Sequence, residues 1–543
     1  MSKVAHELTN ATIADRLQAF AALLDLGDAN PFAARAYRRA ADLIRATPAP
    51  VAELVREGRV RELRGIGSGI ESRLRELVET GEISELQELE ARLSPELVGL
   101  GRLLGLTSRR ALDIAAALEI STAEELRTAA AAGELRSVPG IGSKTEAQIR
   151  AALAEPPRPR RGLTLNRALQ LLDSIAASLD GIVAGDTRRG CELSFDLVVV
   201  CAAEHPEPLL ARFAQLPHIV AIVEGERRRA VGVTVEGVPV TLVAAEPRRL
   251  GTALIRATGS AEYVASLEPV PECATEEEAF GALGLEWRPP ELRELPLAPA
   301  PPSLVEVPDL RGDLHCHTVW SDGKASVEEM ALAARDRGYE YLAICDHTRS
   351  VRVVPGLDEA DVRRQAEEIA SVNERLAPFV VLRGIECDIL PDGRLDLADS
   401  ALAELDWVQI SLHAGQRRSR GELTKVVTEA LRSPYASALS HPKGRILNHR
   451  PENALDLERV FEVALETGLA VEINGLPDRL DLSSAHAREA LAAGVDLVLS
   501  SDGHSAAGLA SVEYAVTTAR RAGAPRERIV NARGRAELPR RAD

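Results

Sequence analysis

The sequence predicts a multidomain α and α/β protein, with helical domains first, a small α+β unit in the middle and a seven-unit barrel near the (β/α) type at the C-terminal end. Three observations carry this. Apolar residues recur at helical spacing up to about residue 155. β-Branched runs replace them from 163 to about 270. Beyond 308, short apolar strands alternate with helical stretches. The Pro-dense segments EPPRPRRG (155–162) and WRPPELRELPLAPAPPSLVEVP (287–308) separate these regions. The expected units are 1–85, 86–160, 161–295, a linker at 296–308, and 309–543. A length of 543 residues fits three to four domains at ~150 residues each.

Composition narrows the function. The chain is 45% hydrophobic and 27% charged, ordinary for globular protein with sizeable cores. Its net charge of −17 excludes a simple polycation that coats nucleic acid, and 3% aromatics exclude long base-stacking platforms. Local DNA contacts stay open. Six cysteines form no CxxC pair, so neither a thiolate zinc module nor a secreted disulfide framework is expected. The start MSKVAHELTN lacks an apolar signal core, and no run of ~18 apolar residues follows, so a cytoplasmic protein without membrane contact is expected. Lysine stands only at 3, 144, 324, 425 and 443, which limits Schiff-base chemistry.

The helical segments IADRLQAFAALLDL and AARAYRRAADLIRA open the first unit. RGIGSGI (64–70) then joins two helical stretches, and VPGIGSKTEAQI (138–149) repeats the pattern. A Gly-apolar-Gly turn exposes backbone N–H groups at a helix start, where they can hold a phosphate. Both segments resemble helix-hairpin-helix DNA-binding hairpins, with Gly65, Gly67, Gly140, Gly142, Ser143 and Lys144 as contact residues. LLGLTSRRAL (103–112) looks like a degenerate third copy. Such hairpins hold the backbone and read no sequence. The alternative for each is a purely structural turn.

In the middle unit, CELSFDLVVVCA and AVGVTVEGVPVTLVAA read as strands, the second interrupted by a Gly-containing turn.

Eight of the eleven histidines lie after residue 308. The chain there reads DLHCHT, YLAICDH, VVLRGIECDI, WVQISLH, ASALSH, LAVEIN and LVLSSDGH, mostly apolar runs ending in a metal-competent residue. In a (β/α) barrel such strand ends converge on one pocket. The convergent set is His315, His317, Asp322, His347, Glu386, His413, His441, Asp502 and His504. Imidazole and carboxylate suit Mn, Zn or Fe, and nine ligands fit two or three divalent ions rather than one. Clustered ions can activate water and clamp both oxygens of a phosphodiester. A lone histidine is usually structural, but six at the ends of five apolar runs are not explained that way.

These motifs resemble the PHP (polymerase and histidinol phosphatase) family position by position. The resemblance implies a distorted (β/α)7 barrel with a trinuclear site and phosphoester hydrolysis, with all nine residues as ligands and His315, His317, Glu386 and Asp502 at the reaction centre. HPKGR (441–445) and EINGLPDRLDL (472–482) also match, which makes Arg445 and Arg479 candidate phosphate clamps; a structural ion pair is the alternative for each. Cys345 and Cys387 flank ligands and are expected to pack as small hydrophobes.

The whole order resembles bacterial and archaeal family X DNA polymerases: a helical DNA-end-binding domain, fingers, a nucleotidyltransferase-like palm and thumb, then PHP. AYRRAADLI, GDTRRGCELSFDL, ATGSAEY and EEEAFGALGLEWRPPELRE carry further matches. The family pattern asks for Asp-x-Asp on one palm strand and a third Asp on a later one. Here those positions are Asp196, Val198 and Thr241. Valine cannot ligate a metal, and one carboxylate holds Mg poorly. Asp186 stands where the family has a phosphate-binding Ser and would repel a triphosphate, Glu192 is a further carboxylate nearby, and the His-Asn that usually follows TGS is missing. The position that the resemblance gives to the lyase lysine, in GIGSGIESRL, carries Arg73, which cannot form a Schiff base. The expectation is a DNA repair enzyme whose PHP domain acts as a metal-dependent 3′-5′ exonuclease or 3′-end phosphoesterase on DNA ends or gaps, with polymerase activity lost. Its rivals are a working repair polymerase with atypical carboxylates, a DNA-end-binding scaffold without turnover, and a phosphatase of small metabolites. The acidic balance predicts weak, salt-sensitive non-specific DNA binding.

Overall fold

A computed structural model describes residues 10–24, 31–47, 50–63, 65–86, 88, 95–154, 161–296, 303–351 and 354–539. Most of the Pro/Arg linker (155–160) and the centre of the Pro-rich spacer (297–302) lie outside the described residues.

The first helices are α1 (Asn10–Leu24), α2 (Pro31–Ala46), α3 (Val51–Arg56) and α4 (Ser68–Thr80). Ile13, Leu17, Phe20 and Leu24 line one face of α1 and are buried with Ala34, Ala41 and Ile44 of α2. Asn10 ties the helices further, since its side chain donates to Thr47 O and accepts from Val51 N. Next come α5 (Pro95–Leu103), α6 (Ser108–Leu118), α7 (Ala123–Ala132) and α8 (Ser143–Ala154). Their apolar cluster is continuous with Ala221, Val223, Val231 and Val233 of the middle unit.

Two strands pair antiparallel, β1 (Leu163–Thr164) with β3 (Leu193–Ser194). The middle unit's main sheet has the order β2-β4-β7-β6-β5, from β2 (Ile182–Ala184), β4 (Leu197–Ala202), β5 (Ala221–Glu226), β6 (Arg229–Val233) and β7 (Pro239–Ala245). The two strand segments read from sequence are β3–β4 and β6–β7. The edge strand β5 escaped that reading because its pattern alternates weakly and ends in Glu-Gly-Glu.

The C-terminal unit is a sheet of seven consecutive parallel strands, β8 (Gly312–Cys316), β9 (Tyr341–Ile344), β10 (Val380–Asp388), β11 (Trp407–Ser411), β12 (Ala438–Leu439), β13 (Ala470–Asn474) and β14 (Leu497–Ser500), in sequence order across the sheet. A parallel bridge between Cys316 and Gly503 brings the last strand's end to the first, so the barrel is nearly closed. Every residue of β8, β9, β11, β13 and β14 is buried, as strands covered on both faces require. Capping boxes at Ser326/Glu329 and Ser419/Glu422 start two of the return helices.

Candidate metal centre

All nine sequence-predicted ligands lie at the C-terminal ends of these strands or on the loops that follow. Glu386 on β10 is at the middle. Its carboxylate lies 2.8 Å from His347 Nδ1, 2.9 Å from His441 Nε2, 3.6 Å from both His315 Nε2 and His413 Nε2, and 3.8 Å from His317 Nε2. Asp502 approaches His317 Nε2 at 3.0 Å, and Asp322 approaches His504 Nε2 at 3.3 Å and His347 Nε2 at 3.6 Å.

Among the described residues, three groups present ligand atoms within 4.8 Å of one another: His317, Asp322, His347 and His504; His315, His317 and Asp502; His347, Glu386 and His413. His317 and His347 each serve two groups. A neutral imidazole has one free nitrogen lone pair, so these groups cannot all have separate ligand sets. His315 Nε2, His317 Nδ1 and His441 Nδ1 are buried with no hydrogen-bond partner. Buried nitrogens without partners are costly, and a cation at the centre removes that cost, so these residues fit divalent ions.

Electrostatics agree. Burial pushes the Glu386 and Asp502 carboxyls up, but the surrounding histidines outweigh it and hold both well below the usual carboxylate range. Burial pushes His347 down, yet Glu386 and Asp322 raise it to about 10. The pocket therefore favours positive charge. Two of the candidate ligands, His441 (φ 25°) and Asp502 (φ 51°), have left-handed backbone, a strain that functional sites retain.

Sequence reasoning missed the carboxylates behind the ligands. Glu472 on β13 is fully buried. It accepts hydrogen bonds from His315 Nδ1 (2.7 Å), His441 N (2.7 Å), Ser440 Oγ (2.9 Å), Gln409 Nε2 (3.0 Å) and Ser500 Oγ. Its bond to Nδ1 leaves His315 Nε2 as the nitrogen available to a cation. Asp388 accepts from His413 N, and Asp346 from Thr318 and Ser321 beside His317. The available signal was a charged residue inside an otherwise apolar strand.

The two candidate clamps part company. Arg479 is one-fifth exposed, with Nε 3.9 Å from Asp502. Arg445 departs from the expectation. Its guanidinium donates to the carbonyls of Arg479 and Leu480 and faces Glu452 and the middle unit's Glu192, so its donors are engaged within the protein.

In the middle unit, Val198 and Thr241 are register partners on the parallel strands β4 and β7, where the family pattern puts carboxylates. Val198 is buried with Ala184, Val200 and Leu254. Asp196 is exposed at the start of β4. Asp186 accepts from the backbone N–H of Phe195 (2.7 Å) and Asp196 (2.9 Å) and pairs with Arg189 at 2.5 Å, so a carboxylate occupies this anion nest. Glu192 faces away toward the barrel, where it accepts from Ser484 N and pairs with Arg521.

The two Gly-apolar-Gly hairpins share one geometry. A 3-10 turn (Val60–Glu62 or Leu135–Ser137) leads into a left-handed glycine, Gly65 (φ 115°) or Gly140 (φ 85°). A buried Ile66 or Ile141 follows, then exposed Gly67 or Gly142 at the start of α4 or α8. Ser143 and Lys144 are exposed beside them. At α4 the cap residue Gly67 contributes no side-chain hydrogen bond. In the third copy Thr107 replaces the second glycine, and its hydroxyl accepts from Arg110 N. That copy is a hairpin whose anion-binding amide is already engaged.

Comparison with known proteins agrees with this layout. A helix-hairpin-helix domain model matches residues 8–83, and a PHP domain model matches 313–475, ending before the strand that supplies Asp502 and His504. The DNA polymerase/3′-5′ exonuclease PolX of Bacillus subtilis (strain 168) is 31% identical over 95% of this chain and 96% of its own length. This chain belongs to the PolX family. Probable phosphatases match a smaller share of the chain: one from Acetivibrio thermocellus is 31% identical over 35% of this chain and 78% of its own length, and one from Shewanella loihica 32% over 40% and 88%. Among the described residues, no helix is long and apolar enough to cross a membrane.

Proposed function

We propose that this PolX-family protein hydrolyses 3′-terminal phosphoesters at DNA ends or gaps through its PHP domain and has lost template-directed polymerisation. The observation that carries this is the contrast between the two centres. The barrel gathers eight further metal-competent side chains around Glu386. The palm has a buried valine and a threonine where carboxylates are needed, and its anion nest is filled by Asp186. Two or three divalent ions (Mn, Zn or Fe), held by His315, His317, Asp322, His347, Glu386, His413, His441, Asp502 and His504, supply Lewis acidity and an activated water.

The chain's own residues do the rest. Glu472 fixes the orientation of His315. Arg479, beside Asp502, is positioned to bind a phosphoryl oxygen and offset its charge. The hairpin glycines, with Ser143 and Lys144, hold the DNA backbone. The six free cysteines fit a reducing, cytoplasmic setting.

The relative's printed name favours a working polymerase, and the phosphatase matches favour small phosphate monoesters. End-labelled gapped DNA incubated with each metal, with and without dNTPs, separates the readings. Shortened products that vanish in His315→Ala/His317→Ala are expected. Extension with Mg or Mn would overturn the loss of polymerisation. A small monoester turned over while gapped DNA stays intact would favour the phosphatase reading.

A further inference from the structure

Outside the metal centre, the most unusual feature is a cavity of about 790 Å³ where the helical region, the palm and the barrel meet. Arg38 and Arg102 come from α2 and α5, Arg161 and Arg167 from the start of the palm, and His449 from the loop after β12. Against four arginines stands one carboxylate, Glu236, which pairs with Arg167 at 2.9 Å. In a chain of net charge −17, this local excess of cations is the reverse of the bulk.

The walls are tied together. Asn448 Nδ2 donates to Gly162 O at 2.9 Å, which pins the barrel loop to the palm. Arg102 donates to Val235 O at 3.1 Å, and a Cβ at Gly237 would stand 2.6 Å from Arg102. The loop that reaches the cavity begins at the candidate ligand His441. Its Arg450 follows His449; burial first, and then the charge of Arg479, lower the Arg450 pKa. Arg479 in turn faces Asp502. Cations therefore run from the cavity to the metal centre along one loop and its neighbour.

We propose that this cavity binds consecutive phosphates of the DNA strand whose end enters the metal centre. The proposal rests on the DNA-phosphoesterase reading for its ligand, but its binding test does not depend on turnover. Four guanidiniums in an open cavity suit a run of diester phosphates better than one small anion, because the charges lie on separate elements around a large volume.

The test uses the full chain in EDTA and a fluorescent single-stranded 12-mer, with anisotropy followed across a salt series. Arg161→Ala/Arg167→Ala is compared with Arg248→Ala/Arg256→Ala, a charge-matched control on exposed palm arginines outside the cavity. The cavity variant is expected to bind about tenfold more weakly, with the slope of log K against log salt reduced by about 1.4. With Mn restored, its kcat/KM for the 12-mer relative to bis(p-nitrophenyl) phosphate should fall about tenfold, and the control's ratio should not. Equal losses in both variants, an unchanged salt slope, an equal fall on both substrates, or inorganic triphosphate competing as well as the 12-mer would each overturn the proposal. If the wild type binds the 12-mer through these arginines yet hydrolyses neither substrate, the phosphoesterase reading fails and the cavity assignment stands.

Discussion

Replacing Glu472 by Gln tests whether the carboxylate behind His315 sets metal affinity. Gln preserves volume and one acceptor oxygen, but it removes the charge and turns an NH2 group toward donors. The site gives six donors to this carboxylate, from His315, His441, Ser440, Gln409, Ser500 and, at 3.4 Å, Asn474. The strongest consequence falls on His315, whose Nδ1–H loses a charged acceptor at 2.7 Å. Removing such an outer partner weakens metal binding by about 10–100-fold. At ~1.36 kcal/mol per decade that is about 1.4–2.7 kcal/mol. Calorimetric titration of the metal-stripped protein with Mn should show the shift, and oligonucleotide hydrolysis should move to higher metal concentration with kcat partly recovered at saturation. Circular dichroism checks the fold. Affinity and metal dependence within twofold of wild type would refute the argument that Glu472 orients His315 for ligation.

Three further outcomes follow from the same geometry. Burial pushes the Glu192 carboxyl up, but Arg521 and Arg445 outweigh it and hold it at about 2. A depressed carboxylate contributes stability that is present above its unfolded pKa and is lost as pH falls through the folded one. Glu192→Gln should therefore destabilise the protein by about 3 kcal/mol near neutrality, and the gap to wild type should close between about pH 4.5 and 2. A gap in the thermal midpoint that persists at the acid end would contradict this. Gly65→Ala and Gly140→Ala should each cost about 1–2 kcal/mol at left-handed positions and weaken gapped-DNA binding; full retention of binding in both variants would exclude the hairpins as contacts. Borohydride should trap no covalent adduct on an abasic-site substrate, since Arg73 is paired with Glu76 and Glu85 and cannot form an imine; a trapped adduct would expose an unrecognised amine.

How much was legible before the structure depended on whether a signal is local in sequence. Strand-end ligands follow their own apolar runs, so HxH, DH and SDGH were visible and the seven-strand order came with them. The GIG turns announced themselves because left-handed backbone at Gly65 and Gly140 demands glycine. Val198 and Thr241 could be set against the family's aspartate pattern because the identity of a residue is a fact of the sequence alone.

Other features needed distance in space. Glu472 is separated by 157 positions from the imidazole it holds, and only barrel closure brings them together. Arg445 sits in a motif that suggests phosphate binding, yet the palm packs against it and Glu192, Glu452 and two carbonyls take its donors. The basic cavity appears in no segment of the chain, because its arginines come from separate units and cancel in a net charge of −17. The sequence by itself determined which chemistry each strand end carries, since ligand type and strand periodicity are local properties. Only the tertiary structure decided which charges face one another, because electrostatic partners are chosen by packing, and packing brings together residues that the chain keeps far apart.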